Sequence, residues 1–182
     1  MAASITDKLQ KIIDDLNIEE AYDFYSKYVY NAEHQKLLSG HGFSTAGSIA
    51  PVNWEVFASI LTGDLGKEGY GSDLNHFEVK SAVEKGSFEY QYHLNGGKTK
   101  LKDDMVVNHV FITYSRDYKN IEVRLVEGGV LKPIFESWAP GLIANYEGPN
   151  RKQRYRKSIA FGFVKTNGIA VFRTSGGKLV QG

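Results

Sequence analysis

The chain has 182 residues, a formal net charge of +1, 42% hydrophobic and 24% charged residues, which suits one domain with a substantial core. No apolar run approaches the roughly 20 residues that cross a bilayer, and MAASITDKLQ has no basic segment leading into an apolar one, so an intracellular, cytoplasmic protein with no membrane partner is expected. The absence of cysteine excludes disulfides and thiolate zinc sites.

In chain order, residues 6 to 38 show helical spacing: Leu9, Ile12, Ile13 and Leu16 form one group, and Tyr22, Tyr25, Tyr28 and Val29 a second. Thr6 is the expected first cap and Asn17 the expected break. The tyrosines of the second group, with Tyr30, offer enough aromatic surface to suggest contact with a partner subunit as well as a core. SGHGFSTAGSIAP, residues 39 to 51, has loop composition and is a candidate binding loop. A helix capped by Asn53 is expected through WEVFASIL, ended by Gly63 and Gly66.

Strand signals then dominate. HFEVKSAV, MVVNHVFITYS, IEVRLVEGG, SIAFGFVKTN and GIAVFRTS are rich in β-branched and aromatic residues. The expected class is α+β, with helices first and a central, mainly antiparallel sheet after. The last 35 residues carry eight basic residues and no acid, leaving net −7 on residues 1 to 147. This asymmetry fits either a solvated basic edge or a polyanion contact.

The chemistry concentrates in GSDLNHFEVKSA. Glu78 and Lys80, two apart on a strand, leave one face while Phe77 and Val79 point into the core. Asp73 follows Gly69 and Gly71, where a turn can bring its carboxylate beside that of Glu78. Converging carboxylates repel unless a cation lies between them. Magnesium takes oxygen ligands, is held by one or two carboxylates, and supports phosphodiester hydrolysis. A neighbouring lysine can hold the scissile phosphate or the attacking water.

DNA contacts are read from three places. In QYHLNGGKTK, His93 and Asn95 alternate on one face of an expected strand, suited to base edges, with Lys98 and Lys100 on phosphate. RKQRYRK supplies Arg151, Lys152, Arg154, Arg156 and Lys157 for phosphate neutralisation. His41, in the glycine-rich loop, is a candidate minor-groove contact. His34, His76 and His109 form no metal spacing and read as structural. No G-x-S-x-G elbow, Walker A loop or dinucleotide fingerprint is present.

GSDLNHFEVKSA resembles the PD-(D/E)xK nuclease motif. The order KEGYGSD, FEVKS, KGSFEYQYHLNGG and IAFGFVKTNG is similar to that of PvuII-type restriction endonucleases over about residues 66 to 170. The resemblance implies a restriction-endonuclease-like fold and a single nuclease domain over 1–182, with 1–38 helical and dimerising and 52–182 catalytic and DNA-recognising. It implies a type II endonuclease that cuts double-stranded DNA at a short palindromic site as a homodimer with Mg2+. Asp73 and Glu78 match the metal-binding acids, Val79 a carbonyl ligand and Lys80 the catalytic lysine, while Glu68 and Glu55 compete for an auxiliary acid's place. The alternatives are a repair or junction-resolving nuclease, a non-catalytic DNA-binding module whose acids form a salt bridge, and a small-molecule binding protein.

Overall fold

The computed structural model describes residues 6–181. The chain is α+β: helices lead, and a mixed, mainly antiparallel sheet of five strands follows. The leading helices are α1 (Asp7–Asp14), α2 (Ile18–Phe24, prolonged by a π-helical turn over Tyr25–Val29), α3 (Ala32–Gly40) and α4 (Pro51–Thr62). The sheet runs in the order β1 (Phe77–Val83), β3 (Asn108–Tyr114), β4 (Ile121–Val126), β6 (Ile169–Ser175) and β7 (Lys178–Gln181). A separate ribbon pairs β2 (Phe88–His93) with β5 (Arg154–Ile159), while α5 (Gly97–Asp104), α6 (Gly128–Glu147) and α7 (Phe161–Asn167) complete the order.

Only β1 and β3 pair in parallel, Glu78 opposite His109; the other neighbours are antiparallel. A parallel pair needs a long crossover. Here β2 and α5 form it, which carries both elements back past the end of β1.

Both sheet faces are covered, so the central strands read as nearly continuous apolar runs. On one face Phe77, Val79, Val110, Ile112, Val123 and Leu125 meet the leading helices. Trp54, Phe57, Ala58 and Leu61 recur at three and four along α4 and are all buried. The other face sends Ala82, Phe111 and Val126 against α6 and the apolar side of the ribbon, Phe88, Tyr90, Tyr92 and Ile159.

Thr6 caps α1, its hydroxyl accepting the Leu9 N–H at 3.2 Å. Asn17 makes the break before α2 and ties it to α4, its N–H and Nδ2 donating to the carbonyls of Leu61 (2.9 Å) and Ile60 (3.1 Å). Gly63 ends α4 with φ of 68°, a left-handed conformation suited to glycine. Of the tyrosines, Tyr25 is buried with its hydroxyl donating to the Tyr118 carbonyl at 2.7 Å, and Tyr28 is exposed.

Several expectations are corrected. Ala50, not Asn53, stands at the N-cap of α4, with Pro51 as the first helical residue, a position where the missing N–H of proline leaves no bond unmade. Met105–Val107 are not strand: the N–H groups of Val106 and Val107 bond back to Asp103 as α5 turns into β3. Phe161–Asn167 is helix. Its alternating aromatics imitate a strand, but both edges of β4 are already taken by β3 and β6, and the segment closes on itself with Val164 buried. Finally, α6 escapes the sequence reading, because Pro133, Pro140 and three glycines interrupt GGVLKPIFESWAPGLIANYE. Its buried Leu131, Phe135, Trp138 and Leu142 nevertheless follow helical spacing.

Phe135 meets Tyr90, His109 and Trp138 at ring-centroid distances of 5.2, 5.3 and 5.2 Å, so it joins α6 to the ribbon and the sheet. Phe135→Ala is expected to lower unfolding stability by about 3–5 kcal/mol, the usual range for a buried aromatic, measured by urea denaturation.

Candidate active site

The middle of β1, Val79 to Ser81, faces a cleft between α4 and the ribbon. Two adjoining hollows, about 330 and 400 Å3, share Asp73, Lys80, Glu89 and Gln91 in their walls. The first is completed by Glu55 and the second by His93 and Lys100.

Local backbone geometry fixes the two acids. Gly69 and Gly71 have φ of 93° and 132°, so the chain before Asp73 follows a path open to glycine. Asp73 then lies across β1: its N–H donates to Glu78 Oε2 at 3.2 Å, and its Oδ2 accepts the Val79 N–H at 3.0 Å. This reciprocal pair holds the carboxylates together despite their like charge.

Glu78 has no solvent exposure, and its charge is met by two ammonium groups. Lys80 and Lys100 both donate to Oε1, Lys100 at 2.6 Å. Lys80 also lies 3.7 Å from Asp73 Oδ2 and 5.1 Å from the centroid of the Tyr90 ring. Burial pushes the Glu78 carboxyl up, but the two lysines outweigh it and hold it below its ordinary value. For Lys100 burial acts downward, and Glu78 with Asp104 overcomes it, so this lysine is held above its ordinary value.

Behind the lysines lies a buried polar layer. Asp104 accepts from Tyr92 Oη at 2.9 Å and faces Lys100 at 3.4 Å. Burial, then the nearby Glu78 charge, raises its carboxyl to about 7. His109 is fully buried, with Nε2 donating to the Asp104 carbonyl and Nδ1 accepting from Tyr90 Oη, both at 2.9 Å. The carbonyl can only accept, which fixes this tautomer. Burial lowers the imidazole to about 4.

The structure thus brings Asp73, Glu78, Val79, Lys80 and Glu55 to one place. Glu55 projects from α4 and is raised by burial and then by Asp73. Glu68 is exposed in the loop and lines neither hollow, so of the two rival acids Glu55 is the one at the site.

On the ribbon, Glu89, Gln91 and His93 share the face turned to the cleft, opposite Ser158, Arg156 and Arg154. Arg154 donates to Gln91 Oε1 at 3.1 Å, and Arg156 lies 3.9 Å from Glu89. The expected alternation of His93 with Asn95 is corrected: β2 ends at His93, and Asn95 lies in the turn before α5, so the two do not share a strand face. Lys98 and Lys100 are on that helix. Lys98 pairs with Glu147 at 3.8 Å, while Lys100 points inward to Glu78. Arg151 and Lys152 precede β5 and are exposed, and Lys157 lies over the Tyr155 ring. His41 ends α3 and lines a separate depression with Glu33, Lys36 and Leu37.

Sequence reasoning missed Gln91 and Glu89 as cleft residues, although FEYQYH alternates polar and aromatic side chains and so sets them on one face. It also missed Asp104, whose spacing of four from Lys100 marks an ion pair once GKTKLKDD is read as helix.

Among the described residues, no group of three or more histidine, aspartate or glutamate side chains forms a ready metal cage. The donor chemistry nevertheless fits Mg2+, which needs only one or two carboxylates beside its waters. Asp73 Oδ1 and the Glu55 carboxylate accept no hydrogen bond from the described residues, and both acids are raised chiefly by burial, with Lys80 and Lys100 acting in the opposite direction. No protein-family model matches the chain, and no curated protein matches it.

Burial of His109 makes folding stability depend on pH. Its value falls from 6.5 in the unfolded chain to about 4 in the folded one, so the unfolded chain takes up the proton first on acidification. Its contribution is complete above pH 6.5 and is lost as pH falls towards 4, by about 3 kcal/mol at most. Asp104, raised to about 7, acts with the opposite sign, favouring folding in acid and losing that contribution as pH rises through 7. The stability difference between the wild type and His109→Gln is therefore expected to shrink from pH 6.5 to 4 in urea titrations, which isolates the histidine.

Proposed function

We propose that the chain is a type II restriction endonuclease of the PD-(D/E)xK kind, a Mg2+-dependent hydrolase of double-stranded DNA that works as a homodimer at a short palindromic site. The observation that carries this reading is the meeting of Asp73 and Lys80, with the buried Glu78 beneath them, in one cleft with Gln91 and His93 of the ribbon, whose paired strand carries Arg156 and Arg154 opposite these two. A buried acid cluster alone would suit a structural salt bridge. A polar ribbon face opening onto the same cleft, with Arg154 and Arg156 on the adjoining strand, suits a polyanionic ligand for the acids to act upon.

Asp73, Glu78, Glu55 and the Val79 carbonyl would hold the cation. When bound, magnesium supplies an activated water and offsets charge on the phosphate. Lys80, seated between Asp73 and Glu78, holds a non-bridging phosphate oxygen and orients the attacking water. One water oxygen–phosphorus bond forms as that water gives up a proton to solvent, one phosphorus–oxygen ester bond breaks, and the departing oxygen takes a proton from solvent. Glu78, buried and fully charged, fixes Lys80 and stays ionised at neutral pH. Gln91 and His93 face base edges while Arg154 and Arg156 fix the register on phosphate.

Incubation with plasmid and viral DNA is the test: discrete bands that require Mg2+ are expected, and chelation should abolish them. A smear would indicate a repair nuclease, and binding without cutting a non-catalytic module. Asp73→Ala and Lys80→Ala are each expected to slow cleavage at least about 100-fold while duplex binding persists. Replacing Arg154 and Arg156 by Gln should weaken binding to all duplexes alike, flattening the log–log salt dependence by about 0.9 for each phosphate no longer neutralised.

A further inference from the structure

The second ammonium at Glu78 has no place in the chemistry just described. Lys100 comes from α5, on the crossover between β1 and β3, and reaches the carboxylate from outside the β1 strand. It is held at three points: Glu78 Oε1 at 2.6 Å, the Gly71 carbonyl at 3.0 Å and Asp104 Oδ1 at 3.4 Å. Its side chain is only 19% exposed. The Gly71 carbonyl belongs to the turn that delivers Asp73, so one ammonium links that turn, the buried acid and α5. Lys80 shares the same carboxylate oxygen. Two ammonium groups therefore converge on one carboxylate oxygen, with Asp73 beside one and Asp104 beside the other, at the place where a divalent cation would bind.

We propose that Lys100 is a positioning residue that stands in for the divalent cation in the metal-free site, holding Glu78 and the Asp73 turn in their working arrangement and competing with the metal for Glu78. The inference rests on the proposed Mg2+ site. Two consequences follow from charge alone. The site keeps its geometry without metal, because an ammonium already balances Glu78. Metal binding is weaker than the carboxylates would otherwise give, because the incoming ion meets a fixed positive charge or must displace it. Lys80 cannot take over this role, since it reaches the site from β1 itself and has no contact with the Gly71 carbonyl.

The experiment is a direct titration of the whole, DNA-free protein with Mn2+ followed by electron paramagnetic resonance, with Mg2+ competition, alongside thermal unfolding in chelator and in Mg2+. Lys100→Met is expected to bind the ion at least tenfold more tightly than the wild type. Its melting temperature should be below that of the wild type in chelator and rise more on adding Mg2+. Lys100→Arg, which keeps the charge, should restore weak binding. If Lys100→Met does not fold, Lys100→Gln, which keeps a donor without the charge, takes its place with the same expectation. Unchanged or weaker ion affinity in the neutral variants, with the wild type binding Mn2+, would overturn the role of Lys100 and leave the nuclease reading standing. No ion binding by the wild type or any neutral variant would overturn both.

Discussion

The burial of Glu78 is the constraint on which the rest depends. A carboxylate with no solvent exposure is strongly unfavourable unless its charge is met and its oxygens are bonded. Here two ammonium groups and the Asp73 N–H meet it, each supplied by a different part of the chain: Lys80 by β1, Lys100 by α5 and the N–H by the turn after Gly71. The fold brings these parts together because β1 and β3 are parallel and the crossover between them must pass the end of β1. Removing both lysines would leave an uncompensated charge inside the protein.

The same crossover builds the other wall of the cleft. β2 leaves the central sheet, pairs with β5 and rests its aromatic side on α6, so its polar side is free to face the acids. Tyr90 and Tyr92 illustrate the division within single side chains. Their rings are core, while their hydroxyls reach His109 and Asp104 in the layer behind the lysines. Packing and electrostatics are therefore coupled: a change in how α6 seats the ribbon also moves the groups that set the charge of the site.

In the proposed chemistry the lysines have separate tasks. Both lysines reach the cleft wall, but Lys80 lies beside Asp73, where a substrate phosphate would come, whereas Lys100 is tethered to the Gly71 carbonyl and Asp104. Burial holds the Asp104 carboxyl well above its ordinary value, which weakens its pull on Lys100 relative to that of Glu78. That leaves Lys100 directed chiefly at Glu78.

Much of this was legible in the residues, for reasons of local physics. The alternation in FEVKS sets Glu78 and Lys80 on one face whatever the strand's neighbours, and the glycines before Asp73 permit a turn that other residues resist. The same rule divides FEYQYH into an aromatic and a polar side, and the α4 repeat of Trp54, Phe57, Ala58 and Leu61 declares its buried face. Tertiary structure decided the rest. Phe161–Asn167 looks like a strand but has no free edge to join, and α6 hides behind two prolines yet is held by the apolar face it must cover. Glu55 and Glu68 are indistinguishable as letters, and only the seating of α4 on the sheet places Glu55 in the cleft. Lys100 reads as a surface cation in a basic segment; it becomes an internal one because the crossover carries it onto a buried carboxylate 22 positions earlier in the chain. Local periodicity determines which way a side chain faces, but what it meets there depends on contacts between distant segments, which no short pattern encodes.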